Sequence, residues 1–215
     1  NGKELWQKPL PAPVVEFGTS ASPILADGKV IVVVDQDVGS YMIALDVKTG
    51  AEVWRVDRSE FRRGFSTPLV WRHDGVEELV VCGSLWVRSY DLKDGKQRWS
   101  ARGMARVSNA SPVAADGVLL VSSWNVGGDE DDRVLMEPHE TFAAANDADK
   151  DGLLTLEEFP KGKIKDRYSQ IDADKDGKVT KAEYETMRGM FADAVNQLFA
   201  IKPGGSGDIT DTHVV

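Results

Sequence analysis

Between residues 23 and 56 short apolar runs alternate with brief polar turns. "PILA" and "KVIVVVD" flank Asp27-Gly28, and "YMIALD" and "AEVWRV" flank "VKTG". Runs of this length, rich in Val, Ile, Tyr and Trp, predict β-strands. Asp-Gly and Thr-Gly supply the positive-φ residues of tight hairpins, so four antiparallel strands are expected in series. The pattern then returns. "SASPILADGKVIVVV" (20–34) is echoed by "FSTPLVWRHDGVEELVV" (65–81) and "NASPVAADGVLLVSS" (109–123), with Pro23, Pro68 and Pro112 spaced 45 and 44 residues apart. "ALDVKTGAEVW" (44–54) aligns without a gap to "SYDLKDGKQRW" (89–99), so that Asp46 to Asp91 and Trp54 to Trp99 both span 45 residues. Four short strands repeated at this period predict a β-propeller blade. A sandwich of unrelated hairpins gives no reason for tryptophan to recur at one offset.

Ala44, Asp46, Thr49, Gly50 and Trp54 match A-x-D-x-x-T-G-x-x-x-W residue for residue. This resembles the tryptophan-docking repeat of the pyrroloquinoline quinone (PQQ) type propellers, a family of quinoprotein dehydrogenases and of a non-enzymatic outer-membrane assembly lipoprotein. The resemblance implies a mainly β fold, a partial β-propeller of four-stranded antiparallel blades. The motif also makes physical sense by itself. Asp accepts N–H groups of the turn, Gly takes the left-handed position, and the indole buries a large ring between blades. The second copy has Ser89 and Asp94 for Ala44 and Thr49, and a third, "AIKPGGSGDI" (200–209), lacks both the Asp and the Trp. "GKELW" (2–6) is expected to be the last strand of a preceding unit, and "DITDTHVV" (208–215) a strand cut short. Rings of this family close with seven or eight blades, and seven would need roughly 315 residues. The 215-residue chain is therefore expected to be part of a longer protein.

In the third repeat "VLLVSSWN" (118–125) finds its partner strand only at "QLFAIK" (197–202), about 66 residues later than the period predicts. The intervening segment turns to Asp, Glu, Lys and helix formers. Asp147, Asp149, Asp151, Gly152 and Glu158 occupy positions 1, 3, 5, 6 and 12 of D-x-D-x-D-G-x5-E, and Asp172, Asp174, Asp176, Gly177 and Glu183 repeat it 25 residues on. This resembles an EF-hand pair. Calcium takes 6–8 oxygen ligands, and alternate carboxylates on a tightly turning loop point inward together. Leu153 and Lys178, at position 7, would lend main-chain carbonyls, and each position-12 Glu would close its sphere. Thr155 with Glu158, and Thr180 with Glu183, read as capping boxes that open a helix after each loop. Leu154 and Val179 are placed to join the loops by a short β contact. Tyr184, Met187, Phe191 and Ala194 read as one buried stripe. The link between the loops contains Pro160 and Gly162, so its helices should be short. Ala143 and Asn146 occupy the usual apolar positions before the first loop, with Phe142 displaced by one, which makes the first incoming helix the weakest part of the pair. The expected segments are 1–126 for propeller blades, 133–196 for the EF-hand insert and 197–215 for the rest of the third blade.

Charge sharpens this picture. The net charge of −9 and pI near 4.9 argue against a nucleic-acid partner. Eight ligand carboxylates supply most of that charge, and two calcium ions would bring the total to −5. No run approaches the ~18–20 apolar residues of a membrane span. The single Cys82 rules out an intrachain disulfide and reads as a small core residue, while His73, His139 and His213 lack metal-ligand spacing and read as surface or turn residues. "PGGSGD" reads as a flexible turn and "GGDEDD" (127–132) as a solvated linker. Trp71, Trp86 and Trp124 fall outside the docking register, most of them expected between blades.

Two functions remain. The favoured one is a calcium-binding, non-catalytic propeller scaffold, with two Ca2+ ions, no PQQ and no catalytic residue. Its partner is expected to be a protein or another part of the same longer chain. The alternative is a fragment of a PQQ-dependent alcohol or sugar dehydrogenase. Against it, the chain has no vicinal Cys pair and no catalytic Asp in a recognisable context. The family resemblance implies a periplasmic or secreted, extracytoplasmic setting.

Overall fold

The computed structural model describes residues 2–215, so the first residue of the expected blade segment lies outside the description. Chain contacts divide it into two units. One comprises the chain up to Asn125 together with Val195–Val215, and the other is Val126–Ala194.

The first unit consists of antiparallel sheets built on the repeat. Strands β1 (Ile24–Ala26), β2 (Lys29–Val34), β3 (Tyr41–Asp46) and β4 (Glu52–Asp57) form a four-stranded meander. β5 (Leu69–His73), β6 (Val76–Cys82), β7 (Trp86–Tyr90) and β8 (Gln97–Arg102) form the second. β9 (Val113–Ala115) and β10 (Val118–Ser123) begin the third, completed by β11 (Gln197–Ile201). Each repeat opens on the same hairpin. Asp27-Gly28, Asp74-Gly75 and Asp116-Gly117 all have both residues at positive φ, between 46° and 80°. That geometry follows the right-handed twist of the strands it joins, and Asp-Gly adopts it readily. A second signature links the sheets. The Ser22 N–H donates to Thr67 Oγ1 (3.0 Å) and the Thr67 N–H donates to Ser111 Oγ (3.2 Å), so one repeat position passes a hydrogen bond to the next.

Successive sheets bury apolar faces against one another. Ile31, Val33, Met42, Ala44 and Trp54 pack with Leu79, Val81, Tyr90 and Leu92, and the other face of the second sheet, with Val80, Cys82, Trp71 and Trp99, packs with Leu119, Val121, Phe199 and Ile201. The tryptophans dock as the motif requires. The Trp54 indole N–H donates to the Leu92 carbonyl (3.1 Å), and a Cβ on Gly95 would lie 3.0 Å from its ring. Trp6 does the same one repeat earlier, donating to Val47 (3.0 Å) over Gly50. Asp46 holds that turn by accepting the N–H groups of Lys48 (3.0 Å) and Thr49 (2.8 Å) and the Thr49 hydroxyl (2.9 Å).

Several expectations need correction. The three sheets have four, five and three strands, so only the first is four-stranded as a whole, the second being a four-stranded meander with one strand added. β12 (Gly207–Asp208) adds to β8 in parallel. The segment 208–215 is not a strand. Asp208 Oδ1 accepts the Thr210 N–H (3.0 Å) just before a single helical turn, Thr210–His213, after which Val215 and Ala200 exchange two main-chain bonds at the edge of β11. Residues 2–6 form no strand, although Trp6 docks. Trp99 lacks an Asp-bearing turn to dock on, and its N–H goes instead to buried Glu78 (2.9 Å). Glu78 also accepts from Ser89 Oγ (2.6 Å) and contacts His73 Nε2 (2.8 Å), so His73 is the partner of a buried carboxylate rather than a surface residue. Trp124 is 61% exposed.

Candidate metal centre

In the second unit, α1 (His139–Asn146) leads into the first acidic loop. A single 3-10 turn, Leu156–Glu158, leaves that loop, and Pro160 follows it. The short α2 (Tyr168–Ile171) enters the second loop, and α3 (Lys181–Asp193) leaves it. Asp147 and Asp172 are the C-caps of α1 and α2, so each loop begins where a helix releases its backbone. Both loops then turn identically. Lys150 and Lys175 have φ of 59° and 62°, and Gly152 and Gly177 have φ of 81° and 85°. The first carboxylate of each loop accepts the glycine N–H across the turn, Asp147 from Gly152 (3.0 Å) and Asp172 from Gly177 (3.1 Å). Asp151 accepts from Leu153 N and Asp176 from Lys178 N, each at 2.8 Å.

The loops are joined back to back. Leu154 and Val179, both fully buried, exchange main-chain hydrogen bonds at 3.0 and 2.8 Å. The Tyr168 hydroxyl is within hydrogen-bond distance of both loops, its one proton shared between Gly177 O (2.7 Å) and Leu154 O (3.1 Å). Burial, reinforced by the charges of Asp172 and Asp176, pushes that phenol up to about 12, which keeps it a donor. Beneath lies an aromatic cluster of Phe142, Phe159, Tyr168 and Tyr184, with neighbouring rings about 5.1 Å apart. Phe142 therefore anchors α1 from its displaced position, and α1, at eight residues, is longer than the four-residue α2. Tyr184, Met187 and Phe191 are buried on α3, and Ala194, at its C-cap, is buried too. His139, expected at the surface, is also buried, edge-on to Tyr184.

Carboxylate oxygens of Asp147, Asp149 and Asp151 lie within 4.8 Å of one another, as do those of Asp172, Asp174 and Glu183. Asp176 and Glu158 stand outside these groups. Glu158 holds the N–H groups of Ala148 (2.9 Å) and Thr155 (2.8 Å), and these bonds keep its carboxyl below the usual range. Burial pushes Glu183 up, but the N–H groups of Thr180 and Ala173 and the Thr180 hydroxyl outweigh it, so Glu183 also titrates low. The second group carries a further mark. Asp172 is only 5% exposed, and its Oδ1 has no hydrogen-bond partner among the described residues. An unpartnered oxygen on a buried carboxylate that converges with two others is costly unless a cation shares the space. Oxygen-only donors of this kind suit a hard divalent ion. Sequence reasoning missed the Tyr168 hydroxyl and the Lys178 side chain, whose Nζ reaches Asp151 Oδ2 at 3.3 Å. The motif signals the Leu154–Val179 contact between the loops but neither of these side-chain contacts.

Comparison with known proteins places both halves of this description. Residues 1–152 match the family described as outer membrane protein assembly factor BamB, and residues 164–187 match an EF hand. No curated protein matches the chain. Among solved structures, BamB from Moraxella catarrhalis is similar at 21% identity and a TM-score of 0.41, covering 50% of this chain and 35% of its own. The quinohemoprotein alcohol dehydrogenase ADHIIG from Pseudomonas putida HK5 is similar at 18% and 0.41, covering 54% of this chain and 18% of its own. The V. cholerae biofilm matrix protein Bap1 stands at 21% and 0.35, covering 49% and 18%. The chain thus spans about a third of the BamB structure and under a fifth of the other two. With the repeat, the docked tryptophans and a family match over more than half its length, the chain belongs to the BamB-type family of PQQ-repeat propeller proteins and carries an EF hand within it.

Proposed function

We propose that the chain is a calcium-binding, non-catalytic β-propeller scaffold, its sheets being consecutive blades of a larger ring and residues 133–196 a metal-binding insert. Two calcium ions are bound. Asp147, Asp149, Asp151, the Leu153 carbonyl and Glu158 hold one, and Asp172, Asp174, Asp176, the Lys178 carbonyl and Glu183 hold the other. The observation that carries this reading is the unpartnered, buried Asp172 Oδ1 within the convergent group of Asp172, Asp174 and Glu183. When bound, each ion neutralises carboxylates that otherwise repel at short range.

A structural role for the blades is supported by how their buried reactive groups are used. Glu78 is engaged by Trp99, Ser89 and His73, Asp35 by Arg58, and Cys82 is a buried thiol pushed up to about 12. We assign a protein partner, or further blades of the same chain, and an extracytoplasmic setting. The family description in terms of outer-membrane assembly supports both, and no helix among the described residues is long and apolar enough to cross a membrane. Calorimetry on EDTA-stripped protein tests the metal assignment. Two sites per chain are expected, with Glu183→Gln abolishing tight binding at the second loop. Absence of heat above background at millimolar calcium would refute it.

A further inference from the structure

Lys178 stands at the loop position that serves an ion through its main-chain carbonyl, a role that asks nothing of the side chain. Yet the side chain leaves its own loop, and Nζ lies 3.3 Å from Asp151 Oδ2 of the first loop. The backbone dictates this reach. The Leu154–Val179 pairing sets the two loops side by side, so the residue before Val179 lies next to the first loop's carboxylates. The equivalent residue of the first loop is Leu153, which offers no cation to Asp176. The first loop therefore has an ammonium from its neighbour on one of its three convergent carboxylates.

The loops differ in a second respect. In the first group Asp147 is half-buried and Asp149 and Asp151 are exposed, whereas in the second Asp174 is exposed, Glu183 is half-buried and Asp172 is buried with one oxygen unpartnered among the described residues. The second loop is the better prepared for an ion.

We propose that Lys178 sets the affinity of the first loop: its ammonium competes with the incoming cation for Asp151, so that the two sites are unequal and the second fills first. This rests on the reading that both loops bind calcium. Lys178 is a tuning residue rather than a ligand through its side chain. Because the pair is partly exposed, the effect is modest. Removing the charge should tighten the first loop about two- to fivefold, less at high salt.

Calorimetry with calcium on the full chain tests this in two backgrounds. Glu183→Gln leaves the first loop as the tight site, and Glu158→Gln leaves the second. Lys178→Gln, which keeps the main-chain carbonyl that serves the second ion, should tighten binding about two- to fivefold in the Glu183→Gln background and by a smaller factor in the Glu158→Gln background. Lys178→Arg, which keeps the charge, should not tighten the first loop. Should Glu183→Gln lose its helical circular dichroism, Lys178→Gln alone, fitted with two sites against the parent protein, should narrow the gap between the two constants. Calcium binding that Lys178→Gln leaves unaltered, or alters equally in both loops, would overturn the inference. Absence of calcium binding in the parent protein would instead overturn the underlying reading.

Discussion

Replacing Gly50 by alanine isolates the energetics of tryptophan docking. Gly50 has φ of 70°, and a Cβ there would lie 2.7 Å from two carbons of the Trp6 ring. Gly28 is the control, with φ of 69° and nothing within 4 Å. Forcing alanine into the left-handed region costs about 1–2 kcal/mol at either site, partly offset by about 0.4–1 kcal/mol from a less flexible unfolded chain. Gly28→Ala should therefore lose about 1 kcal/mol. Gly50→Ala must also push the indole away. Overpacking of this kind costs about 1–3 kcal/mol, and displacing the Trp6 N–H from the Val47 carbonyl adds about 0.5–1.5 kcal/mol. The total should come to about 2.5–5.5 kcal/mol. The assay is urea unfolding followed by tryptophan fluorescence, which reports the sheets alone because all six tryptophans lie at or before residue 124. With m near 1–3 kcal/mol/M, the two midpoints should separate by about 1 M. In a Trp6→Ala background the two glycine substitutions should become equivalent. Equal costs in the parent protein would refute the reasoning.

Three further outcomes follow from buried and capping groups. Arg58 is wholly buried, with its guanidinium on Asp35 at 2.8 and 2.7 Å, so Asp35→Asn should cost about 3–5 kcal/mol, while the paired change Asp35→Leu with Arg58→Met should recover most of it in the same melts. Burial holds the Cys82 thiol near 12 against weaker pulls from Ser66 and Arg58, so iodoacetamide at pH 8 should leave it unmodified until denaturant is added. The hydroxyl and N–H of Thr49 hold Asp46 below the usual carboxylate range. Its contribution is present above the unfolded value near 4 and is lost as pH falls through the lower folded value, so Asp46→Asn should show a smaller acid-side loss of midpoint than the parent protein.

Much of this architecture is local in origin and therefore legible. Asp-Gly hairpins, the Asp46–Gly50 turn and both acidic loops are set by residues within a few positions of one another, and their periodicities survive in the sequence. What escaped notice depends on pairs far apart in the chain. Arg58 with Asp35, Phe142 with Tyr184 and Lys178 with Asp151 meet only after folding. Glu78 and His73 are only five residues apart, yet they face one another across a hairpin whose burial no periodicity announces. The turn at 208–213 did carry a local signal. Asp208 accepts the Thr210 N–H much as Asp57 accepts that of Ser59, and an Asp-x-Ser/Thr pattern favours a turn over a strand.

Hydrogen exchange with and without calcium tests the central claim most directly, that the loops form a metal-binding module within a propeller scaffold. Calcium should raise amide protection sharply across residues 140–195, most of all at Leu154 and Val179, where the loops already share two main-chain bonds. Protection across residues 21–101 should change little. A rise in the sheets as large as that in the loops would contradict a self-contained module, and no change in either region at saturating calcium would contradict metal binding itself.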